Sequence, residues 1–454
     1  MKLVYGVNDK PKFGQLIVYA IQQLLAIMTA TLVVPVIING ACGTNMSSAA
    51  ALFGAGIGTL VYVAFTKKKS PVFLGSSFAF IGSMMAAFAG GVSMSLGFLG
   101  LILGALFAGL VYIIIAIIVK FAGVNWINKI MPAVVIGPTV AIIGLSLAGN
   151  AISDMSKGSI EGVATSPLIT VLCGIITLFI TILCSSYGKK TLKLIPFIIG
   201  ILGGYAAAGI FTIIGFAANI DALKVLNVAP FMALVENGIT LNTFLSVPDF
   251  TFMTAFKGIG ELNSAYISTI AVAYIPVAFV VFAEHIADHK NISSIIETDL
   301  LEEPGLHRTL LGDGIGSVVG ALFGGCPNTT YGESVGCVAI TRNASVLTII
   351  TAAILAILIA FISPFIAFVN SIPSCVMGGV CMALYGFIAV SGLKMVQGVN
   401  LNLNKNLFVV SVILIAGIGG LTLTFGKITI TSIACALILG IITNLILSKA
   451  SDEE

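Results

Sequence analysis

Cys326-Pro-Asn-Thr-Thr-Tyr-Gly-Glu-Ser-Val-Gly336 interrupts a long apolar stretch with a proline, small polar residues, two glycines and a carboxylate. In hydrocarbon every backbone polar group needs a partner, so broken helix survives only inside protein or beside a water-filled cavity. A matching interruption, Pro71-Val-Phe-Leu-Gly-Ser-Ser-Phe78, lies in the first half: again a proline and small polar residues lead into a short apolar run. In both, the stretches Leu74-Gly-Ser-Ser-Phe78 and Asn328-Thr-Thr-Tyr-Gly332 are expected to be extended and to pair as two strands. Each then leads into a half-helix whose positive N-terminal end faces a cavity. The backbone amides of Phe78 and of Gly332 or Glu333 become donors to a ligand. The plainer alternative is that the glycines only permit close helix packing. A matched pair of breaks with a carboxylate in one favours a site.

A second pair of stretches repeats the pattern. Met131-Pro-Ala-Val-Val-Ile-Gly-Pro138 and Ile372-Pro-Ser-Cys-Val-Met-Gly-Gly379 agree at Pro132/Pro373, Val135/Val376 and Gly137/Gly378. Around these pairs, runs of about 20 apolar residues recur, each long enough to cross a bilayer. Apolar residues make up 58% of the chain and charged ones 9%, against roughly 45–50% and 25% in soluble domains. The runs fall near 15–39, 47–66, 72–90, 95–120, 129–150, 165–186, 191–217, 265–288, 308–325, 327–342, 345–370, 373–394, 404–424 and 428–449. The paired breaks occupy spans three and ten, and the paired Pro-Gly stretches spans five and twelve, an offset of seven in each case. Seven is odd, so the second half enters the membrane upside down, which is the architecture of secondary transporters. The expected fold class is an all-α polytopic membrane protein of about fourteen transmembrane spans in two inverted seven-span repeats, with short extended segments breaking spans three and ten.

The basic residues set the orientation. With the N-terminus inside, seventeen fall at inner positions (Lys2, Lys10, Lys12, Lys67, Lys68, Lys69, Lys120, Lys129, Lys189, Lys190, Lys193, Lys290, Arg308, Arg342, Lys394, Lys405, Lys449) and four outside (Lys157, Lys224, Lys257, Lys427). That contrast follows the positive-inside rule and puts both termini in the cytoplasm. The apolar run from Gln15 to about Asn39 is too long for a cleaved signal core and reads as span one. The net charge of +3 reflects inner loops facing anionic lipid, and nothing points to nucleic acid. Eight cysteines are scattered through apolar runs without metal-ligand spacing and read as small packing residues. The loop from about 218 to 264 is the one large excursion.

Four of the eighteen acidic residues fall at membrane depth: Glu284, Asp288, Asp313 and Glu333. An ionisable group there costs at least ~2.5–3.5 kcal/mol on insertion scales, so it tends to face a cavity and serve function. Glu284 and Asp288 are spaced i, i+4, share a helix face and repel one another if both are charged. Asp288 reads equally as interfacial, since His289 and Lys290 follow it. Asp313 lies within two turns of Arg308 and reads as its structural partner or a helix cap. His285 projects about 100 degrees from Glu284 on the helix; it reads either as part of a proton path or as a hydrogen-bonded packing histidine.

Pro327-Asn-Thr-Thr-Tyr-Gly-Glu-Ser-Val-Gly-Cys-Val-Ala-Ile-Thr-Arg342 resembles the signature of the nucleobase–cation symporter-2 (nucleobase–ascorbate transporter) family, and its Tyr-Gly-Glu is similar to the uracil permease branch. Leu74-Gly-Ser-Ser-Phe-Ala-Phe80, Ala283-Glu-His285, Pro304-Gly-Leu-His-Arg308 and Ile372-Pro-Ser-Cys-Val-Met-Gly-Gly379 support the resemblance, which runs from about residue 10 to 448. The resemblance implies a core domain of residues 1–125 (spans one to four) and 265–371 (spans eight to eleven), and a gate domain of 126–264 (spans five to seven) and 372–454 (spans twelve to fourteen). It further implies that Glu284 and Glu333 hydrogen-bond uracil. The backbone at Phe78 and Gly332 completes the contacts, Ala30 lines the pocket and Tyr331 is adjacent. A homodimer through the gate domain is likewise implied. Three positions depart from the pattern: Ser334 where Asn is usual, Gln22-Gln23 where Gln-His is common, and Asp288 where the uracil branch often has His.

The chemistry agrees with that expectation. Uracil is planar and neutral; carboxylates accept from its ring N–H groups and half-helix amides donate to its carbonyls, while Phe78 and Tyr331 offer apolar or stacking surface. Moving a proton inward gains ~2.3 kcal/mol per 100 mV. The expected activity is uracil–proton symport, with Glu284 the leading proton-linked group, Asp288 second and His285 a further candidate. No cofactor is expected beyond the proton as coupling ion. Rival readings are a xanthine or purine permease of the same family, an uncoupled facilitator, an ion channel and a membrane-embedded enzyme. A channel expects rings of like groups from several subunits, and three histidines (His285, His289, His307) without metal or Ser–His spacing argue against an enzyme. A bacterial inner membrane is the expected location.

Overall fold

The computed structural model describes residues 3–123, 126, 132–160, 163–189, 191–236, 238–425 and 428–448. Lys2, Lys129, Met131, Lys190, Lys427 and Lys449, used above, lie outside the described residues. Among those described, eight helices are long and apolar enough to cross a membrane: Phe13–Cys42, Ser48–Phe65, Met94–Ala122, Ala133–Met155, Pro167–Tyr187, Pro196–Ala217, Ser264–Ile296 and Ser374–Gln397. They are spans one, two, four to eight, and twelve. Shorter apolar helices Phe78–Ala87, Val346–Ile359, Asn404–Ile418 and Ser432–Leu447 supply spans three, eleven, thirteen and fourteen. Leu306–Gly324 and Gly332–Thr341 complete the set as spans nine and ten. The chain is thus an all-α polytopic protein of about fourteen spans.

Two spans differ from the sequence expectation. Span eleven breaks at residues 360–362 before a second piece, Ser363–Ser371, where Ser363 Oγ donates to the Asn242 carbonyl (2.9 Å). Span thirteen was expected to reach residue 424 but ends at Ile418. The chain then forms two antiparallel strands, β3 (Leu423–Phe425) and β4 (Ile428–Ile430), before span fourteen. The Gly419-Gly420 pair, with Gly420 at φ +71°, stops the helix, and the alternating Thr and branched residues that follow favour strand.

The two breaks pair as the sequence indicates. β1 (Leu74–Ser76) and β2 (Asn328–Thr330) run antiparallel with Leu74 opposite Thr330 and Ser76 opposite Asn328. Gly325 (φ +73°) ends span nine, and Pro327 then starts the extended segment. A two-stranded ribbon has open edges that bilayer water cannot serve. Thr59 of span two closes one by accepting from the Leu74 amide (2.9 Å), and Asn328 Nδ2 donates to the Gly54 carbonyl (3.1 Å).

Repeat mates meet antiparallel. Spans two and nine cross with Gly54 at Gly320 and Gly58 at Gly316, so closely that a Cβ on Gly58 would stand 2.7 Å from the Gly316 carbonyl oxygen. Spans five and twelve cross with Gly137 at Gly392 and Gly144 at Tyr385. Residue numbers rise on one partner as they fall on the other, the geometry two inverted repeats produce, and small residues let the backbones touch. Spans one, two, four, eight, nine and eleven pack chiefly on one another, as do spans five, six, seven, twelve, thirteen and fourteen. Spans six and seven are the most peripheral and turn Phe179, Leu183, Ile210 and Ile213 outward. A strap at the N-terminus lies along the loop after span ten: the Val4 amide donates to the Arg342 carbonyl (2.8 Å) and the Ala344 amide to the Tyr5 carbonyl (2.9 Å).

Candidate binding cavity

A cavity of about 390 Å³ lies between the two groups of spans, within the size range of small-molecule sites. One wall is Ala26 of span one, Glu284 and Asp288 of span eight, and Gly332 and Glu333 of span ten; the facing wall includes Val140, Phe197, Leu384, Phe387 and Ser391 of spans five, seven and twelve. Its rim carries Lys193, Asn291, Ile340 and Met395, at the ends of their spans that the lysine distribution assigns to the cytoplasm.

The acidic wall follows from local structure. Asn263 caps span eight by accepting from the Tyr266 amide (3.0 Å), and 33 residues of continuous helix carry Glu284 and Asp288 onto one face. The half-helix Gly332–Thr341 begins immediately after β2, so Glu333 falls in its first turn and Gly332 turns bare backbone to the cavity. Asp288 is buried, not interfacial: its Oδ2 accepts from Thr330 Oγ1 of β2 (2.9 Å), and its Oδ1 lies 3.8 Å from where a Cβ on Gly332 would stand. Asp288 and Glu333 therefore gather at the positive end of one half-helix, where the free amides and helix dipole favour negative charge.

Behind Glu333, the next residue locks the half-helix in place. Ser334 Oγ accepts from the Phe73 amide (2.9 Å) and from Gln23 Nε2, with all three residues buried. The departures at Gln23 and Ser334 are thus in contact with each other, joining spans one, three and ten at the site.

Other expected site residues lie elsewhere. Ala30 is buried one turn along span one from Ala26, which does line the cavity. Phe78 is behind the wall, its ring edge-on to Tyr385 at 6.2 Å. Tyr331 is not among the residues lining the cavity: its ring covers Gly75 and its hydroxyl donates to the Ser76 carbonyl (2.6 Å), bracing the strand pair. His285 faces away, its Nδ1 on Asp313 Oδ2 (2.7 Å) and its Nε2 on Thr309 Oγ1 (3.0 Å). Asp313 accordingly partners His285 rather than Arg308, because it sits two turns into span nine on the side packed against span eight. The cavity brings together Glu284, Asp288, Gly332 and Glu333. It adds Ala26, Lys193, Phe387 and Ser391, for which the sequence held no signal beyond the one-turn spacing of Ala26 from Ala30.

Comparison with known proteins agrees with this architecture. A family model described as the Permease family matches residues 14–426. The chain belongs to this family. Among the permease's relatives are the uracil permease of Bacillus subtilis (strain 168), 37% identical over 100% of this chain and 97% of its own, and that of Escherichia coli (strain K12), 36% identical over 98% and 94%. Its fold is similar to the transmembrane domain of a cyanobacterium bicarbonate transporter, BicA (TM-score 0.61, 15% identity, covering 97% of this chain and 99% of that one). It is also similar to the murine Slc26a9 anion transporter in the inward-facing state (TM-score 0.64, 10% identity, covering 97% and 69%). The permease is a multi-span membrane transporter with bacterial relatives, not an enzyme.

Proposed function

We propose that the permease imports uracil by proton symport, and that the observation carrying this reading is the convergence of Glu284 and Glu333 with the Gly332 backbone on one cavity wall. Uracil offers two ring N–H donors and two carbonyl acceptors in one plane. Carboxylates of Glu284 and Glu333 suit the donors, and the opening amides of the half-helix suit a carbonyl. Leu384 and Phe387 on the facing wall cover the ring. The names of the full-length relatives point to the same substrate. Glu284 is the leading proton-linked group, with Asp288 one turn away as the second. Phe78, Ala30 and Tyr331 act by shaping the wall from behind.

In this reading spans one to four and eight to eleven form a core that moves against a gate of spans five to seven and twelve to fourteen, exposing the cavity to each side in turn. The cavity here faces the side assigned to the cytoplasm, with both termini on that side of a bacterial inner membrane. A homodimer through the gate belongs to the same proposal.

The test is radiolabelled uracil uptake in proteoliposomes under an inward proton gradient. Wild type is expected to accumulate uracil and Glu333→Ala to lose it, while Glu284→Gln retains exchange of uracil but not gradient-driven accumulation. Full accumulation by Glu284→Gln would remove that residue from coupling. Accumulation of xanthine in place of uracil would favour the purine reading, and uracil entry indifferent to the gradient would favour a facilitator.

A further inference from the structure

Span eight carries two parallel ladders of ionisable side chains. Glu284 and Asp288 face the cavity, while His285 and His289, offset by one residue, face spans two, four and nine. The second ladder lines no part of the cavity, yet both imidazoles are fully buried and each has its own hydrogen-bond partners. His285 meets Asp313 and Thr309 of span nine, with the Tyr112 ring of span four at 6.3 Å. His289 stacks on His285 with centroids 4.0 Å apart, and its Nε2 meets Tyr62 Oη of span two at 2.6 Å. Tyr62 Oη lies 2.7 Å from Ser70 Oγ, next to the exposed lysine turn Lys67-Lys68-Lys69 at the inner end of span two.

The proton inventory of this ladder is constrained. Thr309 has one hydroxyl hydrogen and two acceptors at 3.0 Å, the Leu306 carbonyl and His285 Nε2; when it goes to Leu306, His285 Nε2 carries the hydrogen between them, and when it goes to His285, Nε2 is bare. One further proton then lies between His285 Nδ1 and Asp313 Oδ2, on either atom. His289 Nδ1 meets the His285 carbonyl (2.8 Å), an acceptor only, so it also carries a hydrogen. The Tyr62 hydroxyl has two consistent settings. It either donates to His289 Nε2 while accepting from Ser70, or donates to Ser70 while accepting from a protonated His289. Reversing one setting into the other moves a proton from the imidazole to Ser70. Asp313 Oδ1 and Tyr112 Oη are buried without a partner among the described residues, which is unexpected in a purely structural network and leaves Asp313 able to receive a proton.

The geometry points to a proton exit behind the substrate cavity: Glu284 links the proton to uracil, and the released proton is held at Asp313–His285 and leaves for the inner face through His289, Tyr62 and Ser70. In each transfer one N–H or O–H bond breaks as the next forms; Ser70 is itself buried beside the lysine turn, and as it takes up the hydrogen from Tyr62 it releases its own to a water that must enter from the inner face. Two steps lack a standing hydrogen bond: from Glu284 to the neighbouring His285–Asp313 pair, and across the stacked imidazoles, where a ring must rotate about its Cβ–Cγ bond. This inference rests on the symport reading.

It is tested with Tyr62→Phe, which keeps the ring and removes the relay oxygen, and with Ser70→Ala in case the first variant fails to fold. Three quantities are read in proteoliposomes: uracil counterflow, gradient-driven uracil uptake, and uracil-induced acidification of an internal dye. Counterflow is expected to stay within about twofold of wild type while both proton-linked rates fall about tenfold or more. Proton-linked rates equal to wild type in both variants would overturn the route and leave symport standing, as would an equal loss of counterflow, the mark of a structural role. Wild type that moves uracil without acidification would overturn the symport reading and the route with it.

Discussion

Ser334 holds two donors with one oxygen, and the site depends on it. Removing the hydroxyl in Ser334→Ala leaves the Phe73 amide and the Gln23 side chain buried without an acceptor, each at about 1–3 kcal/mol. Since about 1.4 kcal/mol is a tenfold change in affinity, we expect uracil affinity to fall by about that factor, read by equilibrium binding in detergent. The double variant with Gln23→Ala should add little, because the two residues share one interaction. Tyr331→Phe has the opposite expectation. It loses the bond to Ser76, worth about 0.5–1.5 kcal/mol, and should lower thermal stability while leaving uracil affinity within about twofold. A large affinity loss at unchanged stability would move Tyr331 into the cavity. Glu284, Asp288 and Glu333 were legible because carboxylates at membrane depth are rare and costly. The partner of His285 was not, since Asp313 lies 28 residues away on another span and no periodicity links them.

The strand pair and the glycine crossings are the elements on which the repeat closes. Their sequence signs were clear for the breaks, where Pro, Gly and small polar residues stand out from apolar surroundings. They were silent for β3 and β4, whose Leu-Thr-Leu-Thr and Ile-Thr-Ile-Thr are as apolar as a span end; hydropathy does not separate strand from helix over so few residues. At the crossing of spans two and nine the consequence is steric. Gly58→Ala places a methyl 2.7 Å from the Gly316 carbonyl oxygen, and backbone on both sides has nowhere to yield. Overpacking of this kind costs about 1–3 kcal/mol, so the variant should lose its monodisperse peak at a lower temperature than wild type in fluorescence-detected size exclusion. Gly82→Ala, at a glycine with open space around it, is the control and should melt with wild type.

For the molecule as a whole, the open rim of the cavity fixes which side can reach it. Ser391→Cys, on the wall opposite the carboxylates, should react with a membrane-impermeant maleimide from the cytoplasmic side and be protected by uracil. Labelling confined to the outer side would reverse the orientation. That orientation was read from lysine placement and the inverted repeat from an odd offset, both long-range regularities that survive errors in any one span boundary, though not a miscounted span. The shape of the cavity was not readable, because its walls come from seven spans far apart in the chain. The same separation bears on how the permease is made. Tyr331 and the Ser76 carbonyl it bonds are 255 residues apart, and at ~5–20 residues per second a ribosome needs roughly 13–50 seconds to cover that distance. Throughout that interval β1 is in existence and its sister strand is not. Thr59, already synthesised, can shelter the Leu74 amide, but the remaining edge must wait at the translocon or among lipid headgroups. The first repeat is therefore finished by the second, and a chain stopped after span seven should be cleared by membrane proteases rather than accumulate as half a transporter.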